Sequence, residues 1–464
     1  MAKGFDVIII GGGPAGIFAA LELAERTGRI LIVEKGKSLA DRGCPSKQRH
    51  IPCTKCQPCS IVCGWGGAGA FSDGKLTLST EVGGFLDEYI TKARLHKMIR
   101  YVDDIYLRFG APEQVYGDDE EKVAAIEHKA ILADLRLIPS RIRHLGSGRT
   151  LAVLQAMQED LEEKGVEVAL NSVCTELIVE NGVAAGVRLK DGQEYRGKYI
   201  IVGPGREGSE WLVAEGRRLG LTTTVNPVDI GVRVELPAEV MEPLTSVVYE
   251  SKFIYYSRSF EDRVRTFCMC PYGEVVVENN DGVMTVNGHS HAHKKTANTN
   301  FALLVSKNFT EPFKEPITYG RYVAGLANLL GGGVIVQRLG DLQTGRRSTP
   351  ERLRKGLVVP TLQEATPGDL SLVLPYRHLL AIMEMLEALD MIAPGVNSRN
   401  TLLYGVEVKF YSSRLHLTAN LETKIPGLFA VGDGAGVTRG LMQASISGVI
   451  VGQAIKHRLG TGEN

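Results

Sequence analysis

Residues 5–16 read FDVIIIGGGPAG: a β-branched apolar run, then a glycine turn, then the start of a helix. Phe5 to Ile10 lack the alternation of a half-exposed strand, so the pattern predicts a strand buried on both faces. PAGIFAALELAERTG follows, with Ile17, Ala20, Leu21 and Ala24 spaced along one helical side. Arg29 to Val33 (RILIV) predicts a second buried strand, ending at Glu34. Strand, helix and parallel strand make a βαβ unit. Its turn, Gly11-Gly12-Gly13-Pro14-Ala15-Gly16, satisfies G-x-G-x-x-G, and Glu34 stands eighteen residues after Gly16. Gly11 permits the tight turn, Gly13 lets backbone approach a pyrophosphate, and Gly16 allows close helix–strand packing. The N–H groups and positive dipole end at the helix start suit phosphate, with Pro14 and Ala15 at that start. An acidic residue at 34 suits a ribose hydroxyl and argues against a 2′-phosphate.

The other end of the chain separates FAD from NAD. Thr423-x5-Phe429-Ala430-x-Gly432-Asp433 resembles the second signature of glutathione-reductase-like flavoproteins. The resemblance implies that Asp433, beside Gly432, holds the ribityl chain of FAD. It also implies that a helix beginning at Gly440 to Gln443, with Gly440, Leu441 and Met442 in the cofactor set, points its positive end at the flavin ring, favouring negative charge on the reduced ring. Lys35 and Val173 are expected in the cofactor set. So, by the same resemblance, is the small-residue stretch Gly64-Trp65-Gly66-Gly67-Ala68-Gly69-Ala70-Phe71-Ser72-Asp73-Gly74, from which Gly66, Gly67, Ala68, Gly69, Ser72 and Asp73 are assigned to FAD. A further G-x-G-x-x-G, Gly203-Pro204-Gly205-Arg206-Glu207-Gly208, follows the strand YIIV. The chain then runs into TTTVNPVDIG without a second βαβ unit. Gly203 is therefore read as a strand end closing the FAD domain, and NAD(P)H as a reductant without a dedicated domain.

Five of the eight cysteines fall between positions 44 and 63. In a reducing compartment such crowding points to metal binding or thiol chemistry. Cys53-x2-Cys56-x2-Cys59-x3-Cys63 has the spacing of a bacterial ferredoxin run. A single [4Fe-4S] cluster would use Cys53, Cys56 and Cys59, closed by Cys44 or Cys63. Zinc and redox-active thiols are the alternatives.

The N-terminal fingerprint, the CP…CxxCxPC…GWGGAGAFSDGKL block, FCMCPYGEV at 267–275, LLYGVEVKF at 402–410 and FAVGDGAGVTRG at 429–440 together resemble a bacterial and archaeal family of uncharacterised FAD-dependent dehydrogenases. The resemblance implies the fold and FAD, and no substrate. The expected fold class is α/β: a doubly wound, Rossmann-like FAD domain assembled from discontinuous segments, with an inserted α+β substrate domain. The boundaries read as 1–85, 145–225 and 401–464 for the FAD domain, 226–400 for the insertion, and 86–144 as a helical excursion. Helices are expected at 86–109, 120–132, 148–164 and 377–390, with strands at 166–170 and 173–189 and a hairpin turn at Asp191-Gly192.

On the substrate side His289 and His291 are the candidate catalytic residues, alternating with His293 so that a strand would put them on one face. Cys268 and Cys270 share a face by the same rule and read as packing. Glu407, Arg346 and Arg347 read as solvated charge. The expected reaction is hydride transfer between an organic substrate and flavin N5, coupled to a cluster or to thiols in the cysteine loop. Two other readings are a flavoprotein with a non-redox, sensor or RNA-modifying role, and an isoprenoid-type double-bond reductase. With 53 basic and 53 acidic residues, nothing global attracts nucleic acid or an anionic membrane. The N-terminus lacks signal-peptide features and no apolar run is long enough to span a bilayer, so the expected location is the cytoplasm. The expected partners are a small-molecule substrate and an electron-carrier protein.

Overall fold

The computed structural model describes the chain except residues 1–3, 50–53, 55, 73, 225, 281, 291–294, 308–314, 411–412 and 462–464. It divides into two compact units. The first comprises Met1–Gln114, Arg143–Val225 and Ser412–Asn464; the second comprises Val115–Ile142 and Asn226–Tyr411.

In the first unit the strand Gly4–Ile10 lies between Ile30–Val33 and Glu194–Val202, parallel to both. Glu167–Ala169 extends the parallel side. Glu194–Val202 is shared lengthwise: Val183–Leu189 pairs antiparallel along its first half, and Leu428–Ala430 pairs parallel along its second. Val7, Ile8 and Ile9 are fully buried, which explains their unbroken apolar character. The register aligns Ile10 with Val202 and Val202 with Ala430. The chain's first turn, Gly203 and Val431 therefore emerge side by side at the carboxyl end of the sheet, where ligands bind in open α/β folds.

The helix Pro14–Ala24 is buried nearly all round and not on one side only, as the spacing of Ile17, Ala20, Leu21 and Ala24 suggested. The reason is the helix Leu441–Thr461, which packs against it so closely that a Cβ built on Gly448 would lie 2.1 Å from the Ala15 carbonyl oxygen. A Cβ on Gly452 would meet Glu22 Cβ at 2.6 Å. The two glycines sit four residues apart on one helical face and let backbones touch. Between 173 and 189 the chain makes two strands, Cys174–Glu180 and Val183–Leu189, reversing at Asn181-Gly182. Both turn residues have positive φ, 51° and 79°, the conformation that an Asn-Gly hairpin takes.

The second unit is built on a sheet of eight described strands, ordered Thr366–Pro367, Ile335–Arg338, Leu402–Lys409, Val228–Pro237, Asn298–Lys307, Arg263–Cys270, Lys252–Tyr256 and Arg136–Ile138. A separate hairpin joins Glu274–Asn280 to Val283–His289. The core comes from every second residue of the central strands, the period that puts side chains on one face of a sheet. Ile230, Val232 and Val234 alternate in this way along Val228–Pro237, as do Phe301, Leu303 and Val305 along Asn298–Lys307, and all six are fully buried. The helix Tyr376–Asp390 contributes Ile382, Met385 and Leu386 to the same core.

These divisions shift the expected boundaries. Leu402–Lys409 belongs to the second unit because it pairs antiparallel with Val228–Pro237. The region 86–144 is not one excursion. Lys92–Arg108 belongs to the first unit, whereas Glu120–Leu132 and the strand Arg136–Ile138 belong to the second, the strand through pairing with Lys252–Tyr256.

Candidate active site

The first turn and the last turn of the chain meet. A Cβ on Gly432 would touch the Ala15 Cβ at 3.2 Å, and one on Gly203 would lie 3.1 Å from Val431 and 3.8 Å from Ala15. Gly11 takes φ +103° and presses on the Gly203 carbonyl, where a Cβ would come within 2.1 Å. Gly16 is equally confined, 2.1 Å from the Gly11 carbonyl. These contacts, and not flexibility, require glycine there. The Gly203–Gly208 segment leads through the helix Ser209–Arg218 to a strand, Thr223–Thr224, that pairs antiparallel with Arg414–Leu415. Among the described residues no second parallel βαβ unit follows it.

Gly13 caps the first helix without any side-chain hydrogen bond, and the only atom near a Cβ there would be Gly67 Cα at 3.8 Å. The helix N-terminus thus offers backbone donors beside open space, the donor set that a pyrophosphate takes. Pro14 borders a pocket with Gly66, Gly69, Leu145, Leu154 and Leu441. Gly67 to Phe71 form a 3-10 turn over it, Ala68 being exposed, and the Ser72 hydroxyl donates to the Gly69 carbonyl. Asp73 lies outside the described residues.

Asp433 is about four-fifths buried, its side chain 19% exposed. Its carboxylate accepts from the Thr438 hydroxyl at 2.8 Å and from the Gly440 N–H at 3.3 Å, and pairs with Arg206 at 3.3 Å. Arg206 comes from the Gly203–Gly208 segment, so a residue of that motif reaches the final turn. Gly440, at φ +101°, has open space where a Cβ would stand, directly before the helix Leu441–Thr461. Met442 is buried. Gln443, 3% exposed, donates to the Val82 carbonyl while its side-chain oxygen has no hydrogen-bond partner. An orphan buried acceptor, an uncapped helix start and a carboxylate aligned along one sheet edge match the polar ends and diphosphate of FAD. The residues fit the cofactor.

Glu34, 5% exposed, already accepts three backbone N–H bonds: Gly12 at 2.8 Å, Gly36 at 2.8 Å and Gly64 at 2.9 Å. It ties the fingerprint to the end of the cysteine loop. A carboxylate has about four acceptor sites, so one is left for a ribose hydroxyl. Val173 lies next to this corner, as Ser172 N–H donates to the Glu34 carbonyl. Lys35 pairs with Glu207, which also accepts from the Cys63 thiol at 3.5 Å.

Sequence reasoning missed Arg42. Its buried guanidinium donates to the carbonyls of Ser60 (2.9 Å), Ile61 (2.8 Å), Trp65 (2.5 Å) and Gly67 (2.8 Å) and stacks on Phe71. Burial pushes its pKa down to about 10, against the pull of Glu34 and the nearby cysteines. One cation thus wraps residues 60–67 around itself and presents the glycines beside the helix start. No periodicity announces a buried arginine in a loop.

The described cysteines of the loop differ in exposure. Cys56 is exposed, Cys44 and Cys59 are partly buried and Cys63 is buried; Cys53 lies outside the described residues. Among the described residues no three His, Cys, Asp or Glu side chains come together to hold a metal ion. Burial raises the Cys63 pKa, which Lys35 partly offsets.

In the second unit His289 ends its strand opposite Glu274 and is partly exposed; His291 and His293 lie outside the described residues. Glu407 is not solvated. It is fully buried and paired with Lys409 at 3.0 Å and Arg233 at 3.4 Å. Burial disfavours the Arg233 and Lys409 cations, yet Glu407 and its neighbours outweigh that and raise both pKa values. Arg346 and Arg347 are exposed, as read. Among the described residues no helix is long and apolar enough to cross a membrane.

Residues 5–84 match the family described as pyridine nucleotide-disulphide oxidoreductase, and residues 227–410 match the family described as FAD-dependent protein, C-terminal domain-like. Fold, site and these matches define an FAD-dependent oxidoreductase. The chain is similar to an uncharacterised protein of Clostridium beijerinckii, 27% identical over an alignment of 477 positions, gaps included, that covers 97% of this chain and 80% of that one. A 50-residue stretch, 11% of this chain and 10% of the other, is 44% identical to a 4,4′-diapophytoene desaturase of Methylomonas sp.. Among solved structures, a quinol fumarate reductase variant of E. coli aligns at 15% identity and TM-score 0.42, covering 100% of this chain and 72% of that one. A geranylgeranyl bacteriochlorophyll reductase-like protein of Thermoplasma acidophilum aligns at 12% identity and TM-score 0.43, covering 99% and 80%. Structural similarity at this level carries no argument about the reaction.

Proposed function

We propose that this chain is a dehydrogenase or reductase that binds an organic substrate against FAD, with thiols of the 44–63 loop as auxiliary redox groups. FAD, when bound, supplies hydride exchange at N5. The chain's own residues do the positioning. The backbone donors after Gly13 would hold the diphosphate, Asp433 would accept from the ribityl hydroxyls, and the start of Leu441–Thr461 would offer its positive dipole end to the flavin. Gln443 offers its unpartnered oxygen to a donor there. Arg42 and Glu34 fix the glycine stretch 64–69 beside the first helix. The observation that carries the reading is the contact of the two terminal turns, Ala15 against Gly432.

Thiol chemistry is preferred in the loop because the Cys63 thiol lies 3.5 Å from Glu207, with the Lys35 and Arg42 cations close by. The test is anaerobic reduction of the FAD-loaded protein with NADH, NADPH and dithionite in turn, with iron and zinc assayed on the same sample. Steady turnover with an organic acceptor supports an enzyme. Flavin reduction without turnover across a broad acceptor panel supports the sensor reading, and stoichiometric iron returns the cluster.

A further inference from the structure

We infer that Cys268 and Cys270 form a redox-active dithiol in the second unit, distinct from the cysteine loop and independent of the flavin reading. Strict alternation would leave two thiols of a Cys-x-Cys strand side by side but held apart by regular backbone. Here the strand Arg263–Cys270 carries an irregularity between Phe267 and Cys270 in its pairing with Asn298–Lys307. Cys268 adopts φ +46°, rare for a residue with a Cβ. The result is a sulfur–sulfur separation of 4.0 Å. A bond needs about 2.05 Å, so rotation about the side-chain bonds must bring the sulfurs closer.

The two sulfurs differ in a way that assigns roles. Cys268 is partly exposed, while Cys270 is fully buried. Arg233 donates through Nη2 to the Cys270 sulfur at 3.3 Å and to the Cys268 carbonyl at 2.6 Å. Its Nε donates to Asn300 and its Nη1 faces Glu407, so the guanidinium is fixed from every side. A buried guanidinium against sulfur stabilises a thiolate there. Gly288 makes room for it: a Cβ at that position would fall 1.8 Å from Nη2.

The step is thiol–disulfide exchange with a small disulfide as oxidant. The Cys268 thiolate attacks one sulfur of the small disulfide, releasing one thiol and forming a mixed disulfide. The Cys270 thiolate then attacks Cys268 sulfur and releases the second thiol. Two protein thiols are oxidised, one small disulfide is reduced to two thiols, and both protons leave with them. Oxidation removes the thiolate that Arg233 Nη2 would contact, which ties the redox state of the pair to the Arg233–Glu407–Lys409 network.

The test uses the full-length protein, FAD-loaded, incubated with oxidised glutathione, alkylated, digested with trypsin and weighed. The peptide beginning at Thr266 holds only these two cysteines up to Lys294. The inference expects it to lose the mass of two hydrogens and to carry no alkyl group. Cys270→Ala should instead accumulate glutathione on Cys268, and Cys268→Ala should leave Cys270 with at least a tenfold slower reaction. Recovery of the wild-type peptide with two alkyl groups, or with glutathione retained, overturns the inference whether or not the variants fold.

Discussion

Replacing Gly448 with alanine tests the packing that brings the two terminal turns together. The new methyl carbon would lie 2.1 Å from the Ala15 carbonyl oxygen and 2.9 Å from the Ala19 nitrogen, both main-chain atoms that no rotamer change can move. Ordinary contact begins near 3.4 Å, so the helices must part by more than an ångström. Overpacking of this kind costs about 1–3 kcal/mol, and a backbone obstacle puts Gly448→Ala at the upper end. For a unit of this size that is a fall of about 2–4 °C in Tm per kcal/mol. Moving Leu441–Thr461 also moves Gly440 and Asp433 relative to Ala15, so FAD should be lost before the protein unfolds. Gly460→Ala on the same helix is the control, since its nearest neighbour is an Arg26 side-chain nitrogen at 3.6 Å; it should be neutral or stabilising by up to about 1 kcal/mol. Thermal unfolding followed in parallel by flavin release and circular dichroism reads both effects. If Gly448→Ala melted and held FAD like the wild type, the helix contact would not be what aligns the site.

Three further outcomes are expected. His378, 3% exposed, has neither ring nitrogen hydrogen-bonded, and burial, aided by Lys307, pushes its pKa from 6.5 down to about 4. The unfolded chain therefore binds a proton that the folded one refuses; stability is intact above about pH 6.5 and falls by about 3 kcal/mol as pH drops to about 4. Denaturant titrations across that window should show His378→Leu losing this share of the slope, and an unchanged slope would refute it. Arg42→Met should cost about 2–3 kcal/mol and speed labelling of Cys63 several-fold by a thiol reagent, because four carbonyls lose a charged donor. Asp433→Ala should weaken FAD binding by about 10- to 100-fold in equilibrium dialysis, the loss of about 1.5–3 kcal/mol of charged hydrogen bonding.

Local signals carried the cofactor half of the molecule. An unbroken β-branched strand, a glycine turn and an acidic strand end can be read directly because each is set by neighbours in sequence. The far turn at Gly432-Asp433 was equally legible, and the sheet register then places it beside Ala15. What escaped depends on residues distant in sequence. Arg42 draws its four acceptors from positions 60–67, and Glu407 is buried because Arg233 of the neighbouring strand joins Lys409 of its own strand in neutralising it. A charge looks solvated until its partner is known. The strand irregularity between Phe267 and Cys270, which sets the two thiols 4.0 Å apart, leaves no mark in residue spacing. The Asn181-Gly182 reversal was a readable hairpin signal that the later Asp191-Gly192 turn overshadowed.

The most direct measurement is the flavin content of protein purified under nitrogen and, in parallel, of stripped protein mixed with FAD. The account predicts a yellow protein with about one FAD per chain, and recovery of that ratio on mixing. A colourless preparation that leaves added FAD free in solution would contradict it.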